Sequence, residues 1–333
     1  MTPSALRVLA TVAHLRDLSP TVREFTLTLP PGPWMAAPGA HIELAVPAGP
    51  GSAPAAPLLR TYSLIDPTPG GPVRIAVKRM DQGRGGSRAM WQLQPGQTLA
   101  ISPPQQHFSI DWDAPAHVLM AGGIGITPLL GMARQLSARG APVTLLYGVA
   151  SVSEAVYAEP LRQWLGERLQ LLTGQPLDVP AAIASLPPDG QLVVCGPVGL
   201  LQSAQALWQA SGRRPERLRF ETFGAAPGAL ARPFALTAPR HGLHCTVPAE
   251  ASLLDALQAR GIEVLSECRR GECGLCVLDV LALDGEIEHR DVFLSAADKA
   301  ANRHICSCVS RVRGHITIDS AYRADRLPAG LPA

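Results

Sequence analysis

Seven cysteines occur in the 333 residues, and five of them lie between positions 268 and 308. They run Cys268-x4-Cys273-x2-Cys276 and then, after a gap, Cys306 and Cys308. The order C-x4-C-x2-C…C is the plant-type spacing for a [2Fe–2S] cluster. Three thiolates on one tight loop, joined by a fourth from a distant strand, surround two irons. Gly271 and Gly274 permit turns that a side chain forbids, and Arg269 and Arg270 bring positive charge beside an anionic cluster. A structural zinc site usually shows two C-x2-C pairs, so a single C-x2-C preceded by C-x4 fits zinc poorly.

The fourth ligand is a choice between two residues. Twenty-nine residues separate Cys276 from Cys306, and 31 separate it from Cys308. Spacing alone does not decide, because the intervening polar stretch 284–303 is read as a loop that absorbs two residues. Cys308 is followed by an alternating segment through His315, Ile316, Thr317 and Ile318. That order resembles the last ligand and closing strand of plant-type ferredoxins. The resemblance favours Cys308, with Cys306 as a buried neighbour.

The length allows two or three domains. With 47% apolar and 17% charged residues, a substantial core is expected and disorder is not. A net charge of +2 argues against a nucleic-acid-binding protein. The two lysines, Lys78 and Lys299, leave arginine to supply nearly all positive charge. Residues 1–18 contain Arg7, His14, Arg16 and Asp17 and show no clean apolar core, so no export signal is read there. Iron-ligating thiolates then point to a reducing cytoplasm. One long uncharged run, 114–133, contains Gly122, Gly123, Gly125, Pro115 and Pro128. It divides into a strand, a turn and a helix start rather than a membrane span.

Residues 1–112 read as short strands with Pro and Gly punctuation. Period-two alternation over 22–29, 41–46 and 73–77 predicts a small antiparallel β-barrel. Residues 49–57 read as an exposed loop. From 113 to 224 strands and helices alternate, predicting an open parallel α/β sheet. Its strands are expected at 117–121, 143–147, 169–172 and 192–195, and its helices at 127–138, 154–167 and 199–210. Residues 225–232 read as a linker and 323–333 as a loose tail. Between them, 233–322 form the iron–sulfur unit, with a helix over 252–260.

Four further motifs carry chemistry. Arg60-Thr61-Tyr62-Ser63 resembles the R-x-Y-[ST] flavin motif of the ferredoxin–NADP reductase superfamily. Its guanidinium suits a phosphate, the Tyr ring a flavin edge, and the Ser hydroxyl the reactive nitrogen. Gly83-Arg84-Gly85-Gly86-Ser87 exposes backbone N–H groups before a helix, an anion site in waiting. Gly122-Gly123-x-Gly125-x-Thr127-Pro128 joins a strand to a helix as pyrophosphate-binding turns do. Thr127 is expected to cap that helix with Pro128 at its first position. Cys195-Gly196-Pro197 follows the next predicted strand, and in the superfamily such a turn sets the Cys beside the nicotinamide. Phe223, in Glu221-Thr222-Phe223-Gly224, matches an aromatic that lies against the flavin in the superfamily; ordinary core packing is the alternative.

These motifs occur in one order over residues 5–322: flavin barrel, NAD domain, C-terminal β-grasp ferredoxin. That order closely resembles the phthalate dioxygenase reductase family, which includes vanillate demethylase reductases. The resemblance implies FMN, NADH as donor and a one-electron outlet through the cluster. It implies a terminal oxygenase as protein partner, Rieske-type and acting on an aromatic acid or a quaternary amine. Ser63, Cys195 and Phe223 are then the residues nearest the hydride chemistry. Cys268, Cys273, Cys276 and Cys308 are the iron ligands. The chain is expected to be a monomer, with no membrane or nucleic-acid partner. Rival readings are a reductase for a cytochrome P450, a stand-alone reductase of quinones or nitro compounds, and a redox sensor. A sensor has no use for both flavin and NAD motifs.

Overall fold

The computed structural model describes residues 8–320 except 31, 33, 47–57, 69, 82–84, 224–231 and 250. The expected loop at 49–57, Gly83 and Arg84 of the glycine-rich turn, the linker up to 231 and the tail at 323–333 lie outside the described residues. The chain divides into two compact units, Met1–Glu221 and Thr222–Ala333.

The first unit opens with six antiparallel strands: β1 (Val8–Ser19), β2 (Val22–Thr28), β3 (His41–Val46), β4 (Leu58–Ser63), β5 (Val73–Lys78) and, after helix α1 (Gly86–Gln92), β6 (Thr98–Ile101). Their order is β4-β3-β6-β1-β2-β5. A bridge between Leu64 and Ile75 brings the two edges together into a barrel. Alternation sends Phe25, Leu27, Ile42, Leu44, Ile75 and Val77 into its interior, all essentially inaccessible.

Strand–helix alternation follows: β7 (His117–Gly122), α2 (Ile126–Ala138), β8 (Val143–Val149), α3 (Ala158–Leu165), β9 (Leu169–Thr173), α4 (Val179–Ala184), β10 (Gln191–Cys195), α5 (Val198–Ala210) and β11 (Leu218–Glu221). The sheet is wholly parallel, in the order β11-β10-β7-β8-β9. The uncharged run 114–133 is therefore β7, a turn and the start of α2. Val22, Ile65 and Ala76 of the barrel share one core with Leu119, Leu129 and Tyr147 of the parallel sheet. That common core is why the two lobes form one unit.

The helix expected over 154–167 is shorter. A 3-10 turn at Val152–Glu154 precedes it, Tyr157 takes a left-handed backbone at φ 61°, and α3 closes at Gly166 with φ 56°. Glu154 is pulled away from a helical path by hydroxyls of the barrel, as described below.

The second unit contains β12 (Phe234–Ala238), β13 (Leu243–Val247), α6 (Leu253–Gln258), β14 (Val277–Glu288), α7 (Ala296–Ala301), β15 (His304–Cys306) and β16 (Arg311–Asp319). A mixed sheet, β13-β12-β16-β14-β15, wraps α6, whose Leu253, Ala256 and Leu257 join Phe234, Leu236, Ile316 and Ile318 in the core. Ser252 and Asp255 cap α6 reciprocally. The stretch 284–303 is not the loop expected from its polarity. Its first five residues finish β14, paired from Asp284↔His315 to Glu288↔Arg311, and α7 carries its own Ser295–Asp298 capping box. The outer half of β14 faces solvent, so a polar sequence there is still a strand. Among the described residues no helix is long and apolar enough to cross a membrane.

Candidate flavin, nucleotide and iron–sulfur sites

The parallel sheet creates its own crevice. The chain runs β7, β8, β9 in one direction and then returns to place β10 on the other side of β7. Ligands of open α/β sheets bind at such a switch point, beyond the carboxyl ends of the strands. Here those ends are Gly122 and Cys195, and the two predicted turns interlock there. A Cβ on Gly125 would lie 2.1 Å from the Cys195 carbonyl oxygen, and one on Gly122 would lie 2.5 Å from Pro197 Cδ. A Cβ on Gly196 would stand 3.0 Å from the Gly122 backbone. Glycine is required at these three positions by close approach, while Gly123 is required by its φ of 55°.

Thr127 does not cap α2. A 3-10 turn at Gly123–Gly125 feeds directly into the helix, whose N-cap is Gly125. Thr127 is buried one position inside the first turn, its hydroxyl donating to the Ile124 carbonyl at 3.0 Å. The cap carries no side-chain hydrogen bond, and the Ile126 N–H that opens the helix bonds back to the Gly123 and Ile124 carbonyls. Cys195 is wholly buried, which suits a packing group rather than a nucleophile.

On the barrel, β4 presents the flavin motif in strict alternation: Leu44↔Arg60, Glu43↔Thr61, Ile42↔Tyr62 and His41↔Ser63. Burial pushes the Tyr62 phenol well above the usual range, so it stays neutral. A Cβ on Gly86 would lie 2.4 Å from Arg60 Nε, so the glycine makes room for the guanidinium at the start of α1. Gly85, left-handed at φ 81°, is the N-cap there. Ser87 Oγ accepts the Met80 N–H at 3.0 Å.

Ser63 meets a residue that no motif singles out. Its hydroxyl donates to Glu221 Oε2 at 3.3 Å, across 158 positions, and Glu221 is fully buried at the carboxyl end of β11. The end of the flavin strand and the end of a nucleotide-sheet strand therefore touch. The one available signal was an acidic residue closing an apolar strand. Phe223, two residues on, is 39% exposed.

In the second unit, all seven cysteines of the chain being free thiols, four fall into two pairs. Cys276 and Cys308 Sγ lie 3.1 Å apart, and Cys268 bonds Cys273. Among the described residues no three ligating side chains converge on a single ion. Two pairs of thiols provide two donors for each iron of a two-iron cluster. Backbone N–H groups of Arg270, Glu272 and Cys273 each donate to Cys268 Sγ at 3.4 Å, an arrangement that favours a thiolate and tunes a cluster. The Cys276 thiol is lowered to about 3, chiefly by hydrogen bonds from Cys306 and Cys308, and Cys273 to about 6 by Cys268. The loop turns through Gly271 at φ 77° and Gly274 at φ 74°, packed on Asp291 and Phe293 respectively. Cys268, Cys276 and Cys308 are buried and Cys273 is half-buried.

Cys306 sits at the end of β15, paired with Val277 and inaccessible among Leu254, Leu294 and Cys276. Cys308 lies in the turn beyond, where the Gly271 N–H donates to it. The positive charge expected beside the cluster is offset. Arg269 pairs with Asp255 of α6 and bonds Gln258 at 3.2 Å, and Arg270 lies 3.7 Å from Glu272.

Residues 238–313 match the 2Fe-2S iron-sulfur cluster binding domain family. The heme-dependent oxidative N-demethylase beta subunit of Ectopseudomonas mendocina (strain ymp) is 39% identical over 310 residues, 90% of this chain and 94% of that protein. The solved structure of phthalate dioxygenase reductase, described as modular for electron transfer from pyridine nucleotides to [2Fe–2S], is 31% identical with a TM-score of 0.76. It covers 94% of this chain and 98% of that one. The chain belongs to the phthalate dioxygenase reductase family. Full-length CYP116B46 from Tepidiphilus thermophilus is also similar, at 33% identity and a TM-score of 0.65, over 94% of this chain but only 42% of that protein. The family's three parts, an antiparallel flavin barrel, a parallel NAD sheet and a C-terminal ferredoxin, are the parts described above. The protein is accordingly an oxidoreductase with flavin, NAD(H) and [2Fe–2S] sites, the reductase component of a multicomponent oxygenase.

Proposed function

We propose that this reductase takes its electrons from NADH, holds FMN, and delivers them through a cluster on Cys268, Cys273, Cys276 and Cys308 to a Rieske-type oxygenase. The substrate class we assign to that oxygenase is an aromatic acid or a quaternary amine. When bound, the flavin and cluster supply the change from a two-electron donor to one-electron delivery. The chain's own residues hold and orient. Gly122, Gly123, Gly125, Thr127 and Pro128 form the turn for the dinucleotide pyrophosphate, with Gly196 and Pro197 closing its far wall. Arg60, Gly85, Gly86 and Ser87 hold the flavin phosphate, Thr61 and Tyr62 line the ring, and Ser63 aligns it. Cys195 is assigned to the nicotinamide, and Phe223, as the superfamily motif implies, to the flavin. The observation that carries this reading is the Ser63–Glu221 contact, which joins the flavin strand to the carboxyl edge of the nucleotide sheet. Iron ligation by thiolates suits a reducing cytoplasm, and the chain is taken to work as a monomer.

A haem acceptor is the second reading, favoured by the 39% identity to a subunit of a heme-dependent demethylase. Mixing the NADH-reduced protein with a Rieske oxygenase and with a haem oxygenase separates the two. Rapid oxidation by the Rieske protein alone supports the first reading, and by the haem protein alone the second.

Donor choice rests on the segment after β8. The first arginine beyond it is Arg162, inside α3 and 3.8 Å from Glu159, so no guanidinium stands ready for a 2′-phosphate. Glu154, by its position in sequence a candidate to repel that phosphate, is occupied instead by Thr21, Ser19 and Lys78. Ser151 and Ser153, with hydroxyls 2.9 Å apart, are left for the ribose. Losing one charge-assisted contact costs about 1.5 kcal/mol or more, so kcat/KM with ferricyanide should favour NADH over NADPH at least about tenfold. Equal values for the two nucleotides contradict this.

A further inference from the structure

Among the described residues of the first unit, two non-glycine residues take a left-handed backbone, Asp66 at φ 42° and Tyr157 at φ 61°. Such conformations cost energy and persist where the surroundings impose them. Both residues make the same kind of bond. Tyr157 precedes α3 of the nucleotide lobe, and its hydroxyl donates to Glu24 Oε2 of barrel strand β2 at 2.7 Å. Asp66 lies three residues past Ser63 of the flavin motif, and its Oδ1 accepts from Arg134 Nε of α2 at 2.7 Å. Helix α2 is the helix that begins at the pyrophosphate turn. A third tie lies nearby: Glu154 accepts from Thr21 Oγ1 at 2.7 Å and pairs with Lys78 at 3.3 Å, both on the barrel.

The acceptors are well shielded. The side chains of Glu24, Asp66 and Glu154 are 6%, 12% and 16% exposed. Shielded, charge-assisted bonds are the strong ones. The shared apolar core gives the lobes affinity for one another, but apolar contact is non-directional and tolerates sliding. Directed bonds at three points fix a register.

We propose that Tyr157–Glu24, Arg134–Asp66 and Glu154–Thr21 form a clamp whose function is to set the distance between the nucleotide turn and the flavin strand. These are positioning residues for hydride transfer, and none of them touches the reacting atoms. The proposal rests on the reading that NADH reduces a flavin held at Ser63. Two substitutions leave packing nearly intact: Tyr157→Phe removes one oxygen, and Arg134→Gln removes the charge and its fork.

The test is anaerobic rapid mixing of the flavin-loaded full chain with NADH, and separately with dithionite, which needs no nucleotide lobe. A misplacement of about 1 Å costs up to roughly a hundredfold in rate. Each variant is therefore expected to show flavin reduction by NADH slowed about tenfold, and the double variant more, with the apparent NADH affinity changed less than about twofold. Dithionite reduction and flavin content are expected to match the wild type, and Tm to fall by only about 2–4 °C for each bond lost. Wild-type rates with NADH in both variants overturn the clamp. So does a slowing matched by equal slowing with dithionite or by flavin loss, since that is general damage. Failure of NADH to reduce the wild-type flavin overturns the functional reading instead, which keeps the two failures apart.

Discussion

Replacing Cys308 with serine is expected to strip the chain of its iron–sulfur cluster, and replacing Cys306 with serine to leave the cluster in place. Both thiols adjoin Cys276, and both lie within three positions of each other, so proximity does not choose between them. Direction does. Cys306 ends a strand that pairs with β14 and is wholly enclosed by Leu254, Leu294 and its neighbours. Cys308 sits in the turn after that strand, where it receives the Gly271 N–H from the three-cysteine loop. Its Sγ lies 3.1 Å from that of Cys276, a thiol that Cys306 also bonds. Serine oxygen is a poor substitute for a thiolate toward iron, so Cys308→Ser should lose nearly all of the about two irons per chain expected for this cluster type. Flavin content should be unchanged. Cys306→Ser places a hydroxyl in an apolar cluster, which costs about 1–3 kcal/mol of stability. Its Tm should fall while iron and visible absorbance stay. Iron analysis and absorbance on both variants decide the matter, and the reverse pattern makes Cys306 the ligand.

Arg60→Ala should release the flavin. The guanidinium lies along the start of α1, with Gly86 left bare to admit it, and its Nη1 is steadied by the Leu59 carbonyl at 2.7 Å. A hydrogen bond to a charged partner contributes about 1.5–3 kcal/mol. Removing it should weaken flavin binding roughly ten- to hundredfold, by the usual 1.4 kcal/mol per decade. Arg60→Lys keeps the charge and loses the two-pronged geometry, so it should fall between. The flavin recovered from the wild type by mild acid should be FMN. Equal flavin retention by Arg60→Ala and wild type, measured by fluorescence after gel filtration, rules the contact out.

Much of this arrangement was legible in the residues because the relevant signals are local. The spacing of Cys268, Cys273 and Cys276, and the glycines at 122, 123 and 125, are short patterns whose chemistry requires those residue types at those distances. Period-two alternation placed β2, β3 and β5 within a residue or two. Three features were not legible, each for a physical reason. Residues 284–288 are polar because this end of β14 lies largely in water, so polarity said loop where pairing with β16 made a strand. Helix α2 begins before Thr127 because the glycine turn itself coils as a 3-10 turn, a geometry that a Thr-Pro cap signal overrides only on paper. Glu154 carries no mark in sequence that its partners are Thr21 and Lys78, more than seventy positions away at the nearest. The same holds for Ser63 with Glu221 and Tyr157 with Glu24. Contacts between lobes depend on how two separately readable folds meet, and that information is distributed over their shared core.

We propose that electrons follow one path, from NADH to the flavin and from the flavin to the cluster. Anaerobic rapid mixing of the wild-type protein and of Cys308→Ser with NADH, followed at the flavin and iron–sulfur absorbance bands, tests it most directly. Flavin absorbance should bleach first in both proteins, at the same rate, and the slower iron–sulfur change should follow in the wild type alone. Bleaching of the iron–sulfur bands before or without the flavin, or loss of flavin reduction in Cys308→Ser with its flavin content intact, would contradict it.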